Sequence, residues 1–254
     1  MSFYRFFLCF TLLITFSGCQ FILLRGFLGF DRSPQYLSDK RIEKKTKRRN
    51  IPSENALVFK NDGYYKEVRE RAKKEIEDIE NKADSEDGIN SERIRYIERK
   101  AKNDLQLVQL RFFKGVDQPI YKSLNCHINP FDFLNPFNRS WNIANTLDSF
   151  PPKPLSFLKR EMKEDDDLCF FLKHSQSLNG EDVRKEEIPQ ADYYVVVIWN
   201  NIAHKYSRKL IRQTRRYVKK HQDKDIHVFY INNHNAFIWK ELEESDKQEI
   251  LNAD

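Results

Sequence analysis

The 254-residue sequence predicts an α/β fold: a parallel or mixed sheet with flanking helices, preceded by a helical hairpin and an N-terminal membrane anchor. Three observations carry that expectation. Tyr193–Trp199 is almost continuously apolar, as befits a strand buried on both faces, and Ile226–Ile231 repeats this after a helical stretch from about Ala203 to His221. Strand, helix and strand of these lengths form a βαβ unit and hence a parallel pair. Further upstream, apolar residues recur at three- and four-residue steps over two successive stretches. At the start, nineteen uncharged residues run from Phe6 to Leu24.

That first run sits between Arg5 and Arg25 and is just long enough to span a bilayer, which needs about 20 apolar residues. It also fits a signal peptide, with a charged start, an apolar middle and small residues after it. Phe16-Ser17-Gly18-Cys19 resembles the lipobox of bacterial lipoproteins, with Phe16 where that family usually carries leucine. The resemblance implies a signal peptide over 1–18 and acylation of Cys19, which anchors the chain to the cell membrane or outer membrane with its soluble domain in the periplasm. Thioether-linked diacylglycerol and an amide-linked acyl chain exceed the two chains that stable anchoring requires. An uncleaved anchor helix over 6–24 is the alternative.

The formal net charge of +6 is unevenly placed. Residues 1–30 contribute +2, residues 31–50 contribute +5, and the other 204 sum to −1. Basic character next to a membrane anchor argues for a bilayer surface and against nucleic acid as the partner. The expected organisation is a lipidated basic tether over 19–60, a helical hairpin over 61–115 and the α/β domain over 116–254. Seven of the ten residues from Lys40 to Arg49 are basic, reading as a solvated spacer or as a contact for anionic head groups.

Tyr65, Val68, Ala72, Ile76 and Ile79 form one helical stripe; Ile94, Ile97, Ala101, Leu105 and Val108 form the next, with a polar break around Asp87-Gly88. Leu105–Phe113 suits helix and strand equally. Residues 118–160 hold six prolines and many aromatic rings, and are expected to be a long loop whose rings cover a sheet. Asp167–His174 is a short apolar run expected as a strand, and a last helix is expected over Ala236–Ile250.

Residues 191–232 are similar to the core of the membrane-anchored thioredoxin-like family, in which an apolar strand ending in an aromatic leads into a reactive C-x-x-C and a helix. Val195–Ile202 matches the strand and its approach, but Ala203 and Tyr206 stand where the two cysteines would be. Thiol–disulfide chemistry needs a thiolate and a resolving thiol. The resemblance therefore implies a redox-inactive, partly thioredoxin-like binding or structural domain and carries no activity over.

No G-x-G-x-x-G, P-loop, H-E-x-x-H, C-x-x-C or G-x-S-x-G pattern occurs, so no catalytic residue, metal ligand or cofactor is assigned. Cys126 and Cys169 are a candidate disulfide or, equally, two buried thiols. The helix after Trp199 places Lys205, Arg208, Arg212, Arg216 and Lys220 opposite an apolar side, a candidate anion-binding face. Three functions compete: a non-catalytic envelope lipoprotein that binds the bilayer and another envelope protein, a membrane-tethered enzyme of unrecognised class, and a polyanion- or anionic-lipid-binding module using helix 203–221.

Overall fold

The computed structural model describes residues 35–81, 87–125, 141–163 and 166–241. The anchor segment, Cys19 and Cys126 lie outside them. Among the described residues no helix is long and apolar enough to cross a membrane.

Among the described residues, seven α-helices and six strands make up the fold. In chain order they are α1 (Asp39–Arg48), β1 (Ala56–Phe59), α2 (Gly63–Glu80), α3 (Asp87–Asp104), β2 (Gln109–Lys114), β3 (Gln118–Leu124), α4 (Lys159–Lys163), α5 (Leu168–Lys173), β4 (Ser175–Ser177), β5 (Tyr193–Trp199), α6 (His204–Lys220), β6 (Ile226–Asn232) and α7 (His234–Glu241). The strands form one mixed sheet in the order β3-β2-β5-β6-β1-β4. β5, β6 and β1 run parallel, and the outer strands β2, β3 and β4 are antiparallel to their inner neighbours.

Period-two alternation divides the core between the two faces of this sheet. Val195, Val197 and Trp199 pack with Leu110 and Phe112 beneath Tyr206, Leu210 and Tyr217 of α6. Tyr194, Val196 and Ile198 face the other way, against Tyr64, Tyr65 and Val68 of α2 and Phe170 and Phe171 of α5. Because both faces are covered, β5 must be apolar throughout, which is why its sequence reads as an unbroken run. Ile79 of α2 meets Tyr96 and Ile97 of α3, closing the expected helical hairpin.

Several boundaries differ from expectation. Residues 35–60 are no tether: α1 buries Ile42 and Thr46, and β1 inserts between β6 and β4 with Ala56, Leu57 and Phe59 buried. The division at 115/116 falls inside the tight β2–β3 connection, where Gly115 takes a positive φ of 61°, so the hairpin and the α/β region share one sheet. Residues 118–124 are strand and not loop. Pro119 is accommodated because β3 lies at the sheet edge.

Asp167–His174 is helical. The Asp167 carboxylate accepts the Phe170 N–H at 2.8 Å, an N-cap that starts a helix where apolarity alone suggested a strand. The ring-covered loop is present in part, since Trp141 is fully buried and Phe150 packs against the α6 side. The last helix starts at His234, two residues before its expected start.

Candidate functional site

β5 and β6 are neighbours, yet their following helices leave toward opposite faces, α6 onto the layer of Val195 and Val197 and α7 onto that of Val196 and Ile198. Loops that part in this way open a crevice outside the carboxyl ends of the strands, the usual ligand position in open α/β sheets.

Side-chain amides hold the two loops. Asn200 Nδ2 donates to Asn233 Oδ1 at 2.7 Å, while Asn200 Oδ1 accepts the Ile202 N–H at 2.7 Å. Ser207 Oγ accepts the Asn200 N–H at 3.0 Å and donates to the Asn200 carbonyl at 2.7 Å. Asn233 Nδ2 donates to Tyr65 Oη at 2.8 Å and to the Leu107 carbonyl at 3.0 Å. Buried polar groups must be paired in this way to avoid their desolvation cost.

Asn201 breaks the pattern. It is 4% exposed, and neither Nδ2 nor Oδ1 has a hydrogen-bond partner among the described residues. Together with His234 it lines a cavity of about 360 Å³ whose remaining wall includes Arg41, Lys44, Lys45 and Arg48 of α1. Among the described residues, Arg41, Lys44 and Arg48 form no ion pair, whereas Lys47 is engaged by Glu43 at 2.6 Å.

Short-range contacts fix α1 there. His234 Nε2 meets the Gln35 carbonyl at 2.8 Å, a bond that requires this nitrogen to carry the proton. Leu37 and Asn235 exchange two bonds, at 2.9 and 2.7 Å. At the far end Arg215 donates to the Arg49 carbonyl, and the Arg49 guanidinium lies 4.5 Å from the centroid of the Trp199 ring. Burial, and secondarily the Arg208 charge, lowers the Arg49 pKa to about 10.

A second polar cluster is closed. Asp104 Oδ1 accepts from Arg111 and Lys122, each at 2.7 Å, and both carboxylate oxygens of Glu161 accept from Asn103 Nδ2, at 3.1 and 3.0 Å. Lys122 also stands 3.5 Å from Glu161. Burial alone would raise the Asp104 pKa, but the charges of Lys122, Arg111 and Lys100 outweigh it and hold the carboxyl well below its usual range. Two buried carboxylates facing two buried cations are already balanced, so the cluster reads as structural.

The basic side of α6 is exposed as expected, opposite buried Tyr206, Leu210, Thr214 and Tyr217. Arg212, Arg216 and Lys220 line a cleft of about 410 Å³ against Asn142 and Asp148, whereas Lys205 and Arg208 lie outside it. Ala203 and Tyr206, at the positions of the absent cysteines, are core residues. Cys169 is a free, half-buried thiol on α5, and its proposed partner Cys126 is outside the described residues. Among the described residues no cluster of His, Cys, Asp or Glu is arranged to hold a metal ion.

Sequence reasoning flagged the basic block over 40–49 but not Asn201 or His234, whose role arises only where three distant segments meet. The chain matches no protein-family model, no characterised protein and no solved structure. What the geometry defines is a class: a three-layered α/β domain with a cation-lined crevice at the carboxyl ends of its parallel strands.

Proposed function

We propose that the protein is a lipid-anchored envelope lipoprotein whose α/β domain, thioredoxin-like in its β5–α6–β6 unit but without the reactive cysteines, acts by binding. One observation carries this reading. Gln35, sixteen residues beyond Cys19, is clipped to His234 at the crevice. A fully extended link of that length reaches about 55 Å at ~3.5 Å per residue, so acylation of Cys19 would hold the crevice close to the bilayer. Groups lining the crevice include amide, ammonium and guanidinium, which suit recognition of a ligand, and the His234 imidazole there is engaged by the Gln35 carbonyl. Another envelope protein is the second partner this arrangement suits.

Mass spectrometry of the mature N-terminus should find a diacylglyceryl Cys19, and Cys19→Ser should block maturation. Membrane-bound protein with Met1 intact would replace the lipoprotein by an anchor helix over 6–24. The purified protein should not reduce insulin disulfides above a buffer control, and turnover that persists without Cys126 and Cys169 would overturn the non-catalytic reading.

The α6 cleft favours a second reading, a polyanion-binding face carried by Arg212, Arg216 and Lys220. Its signature would be retention on heparin that falls steeply with salt.

A further inference from the structure

We propose that the crevice beyond β5 and β6 is a phosphate-binding site, with Asn201 as its buried hydrogen-bonding group and Arg41, Lys44 and Arg48 as its counter-charges. The inference rests on the reading of the domain as a binding module and names the chemistry of its ligand. Asn201 is the point of departure. A buried amide without partners bears the full desolvation penalty of its donor and acceptor, a cost the neighbouring Asn200 and Asn233 avoid by pairing.

A bound water would satisfy Asn201, but it would leave three cations facing the same cavity without counter-charge. A phosphate monoester answers both features. Its anionic oxygens accept from Nδ2 and from the guanidinium and ammonium groups, and a hydroxyl of the esterified group can donate to Oδ1. Arginine forks match phosphate oxygens two at a time, and lysine adds a point charge. The volume of about 360 Å³ lies at the small end of ligand pockets, which suits one phosphate with a short organic group and excludes a polymer.

Position agrees with this chemistry. α1 brings its cations to the carboxyl ends of parallel strands, where α/β sheets hold anionic ligands, and the clip of Gln35 and Leu37 to His234 and Asn235 keeps that wall in place. The phosphate can belong to a soluble compound or to a lipid head group of the nearby bilayer, and one experiment separates the two.

The full chain in neutral detergent micelles is titrated calorimetrically with inorganic phosphate and with glycerol 1-phosphate. Saturable binding is expected. The triple variant Arg41→Gln/Lys44→Gln/Arg48→Gln, altered only at exposed positions, should keep its melting midpoint and lose at least tenfold in affinity. Asn201→Asp, which sets a carboxylate against the ligand, should lose at least as much; should it fail to fold, the triple variant decides. Absence of saturable binding to either phosphate, or undiminished binding by the triple variant, overturns the site.

The titration is repeated in phosphatidylcholine nanodiscs with and without phosphatidic acid. Competition by phosphatidic acid assigns the site to a lipid head group, and its absence assigns it to a soluble phosphate; either result upholds the site. The N-terminal mass is read on the same sample, so failure of the anchor and failure of the crevice are seen separately.

Discussion

Asn200 and Asn233, thirty-three residues apart, join their side-chain amides at 2.7 Å and so tie the loop leaving β5 to the loop leaving β6. Each amide has further work, since Asn200 also receives the Ile202 N–H while Asn233 also serves Tyr65 and the Leu107 carbonyl. The crevice is thus framed by side chains that are locked before any ligand arrives, a form of preorganisation that lowers the entropic cost of binding.

Asn233→Ala removes the centre of this frame and takes a hydrogen-bond partner from each of Asn200 Nδ2, Tyr65 Oη and the Leu107 carbonyl. At about 1–3 kcal/mol for each buried group left unpaired, a loss of about 3 kcal/mol or more is expected in urea denaturation. A change below about 1 kcal/mol would mean that water replaces the amide without cost.

The buried ion cluster gives a sharper test. Lys122→Met leaves Asp104 with less compensation and deprives Glu161 of a cation, and breaking one partner of a buried pair typically costs about 3–5 kcal/mol. A double-mutant cycle with Asp104→Asn should give substantial coupling between the two positions. Additive effects would show that the two charges are independent.

The two sides of α6 should respond oppositely. Leu210 is fully buried, and Leu210→Ala should cost about 2–5 kcal/mol. Arg212→Gln/Arg216→Gln/Lys220→Gln alters exposed residues and should move the unfolding midpoint little, because surface charges contribute about 0–1 kcal/mol each. The same triple variant should lose salt-sensitive retention on heparin if the cleft beside Asn142 and Asp148 binds polyanions. A triple variant that unfolds while Leu210→Ala is tolerated would reverse the assignment of the faces.

Acid should weaken the fold. Burial lowers the pKa of His174 and of His227 below the ordinary 6.5, an effect that Glu67 beside His174 and Asp225 near His227 only partly offset. Below 6.5 the unfolded chain then binds more protons than the folded one, so this stability is complete above about pH 6.5 and drains as pH falls toward the folded values. Asp104, held below its ordinary 3.8, adds a loss of the same sign further into acid. The urea midpoint should be lower at pH 5.5 than at pH 7.5, and His227→Phe should shrink the difference. A midpoint that rises on acidification would contradict the burial of both imidazoles.

Legibility in the sequence followed burial. β5, α6 and β6 could be read because each carries one uninterrupted signal: apolar on both faces for the strands, apolar on one side for the helix. β1 could not, since four residues flanked by polar chain show no period of their own, and its place depends on β6 at the other end of the sequence. α1 was obscured by its charge: only Ile42 and Thr46 are buried, so its helical face is lost among lysines and arginines. For Leu168–Leu172, apolarity could not choose between helix and strand, and the Asp167 cap made the choice. The crevice was the least legible feature, because Asn201 becomes conspicuous only once its neighbours are seen to be paired and it is not.

β6 is the keystone of the sheet: it alone joins β5 to β1. Ala56 pairs with Tyr230 and Leu57 with Ile231, so β1 waits for a strand that leaves the ribosome long after it. Until residues 226–232 emerge, the β3-β2-β5 and β1-β4 portions have no strand pairing to join them, and α1 cannot be set against the loop of His234. Polypeptides interrupted before Ile226 would carry two sheet fragments with open edges, the form of nascent chain most exposed to pairing with its own copies.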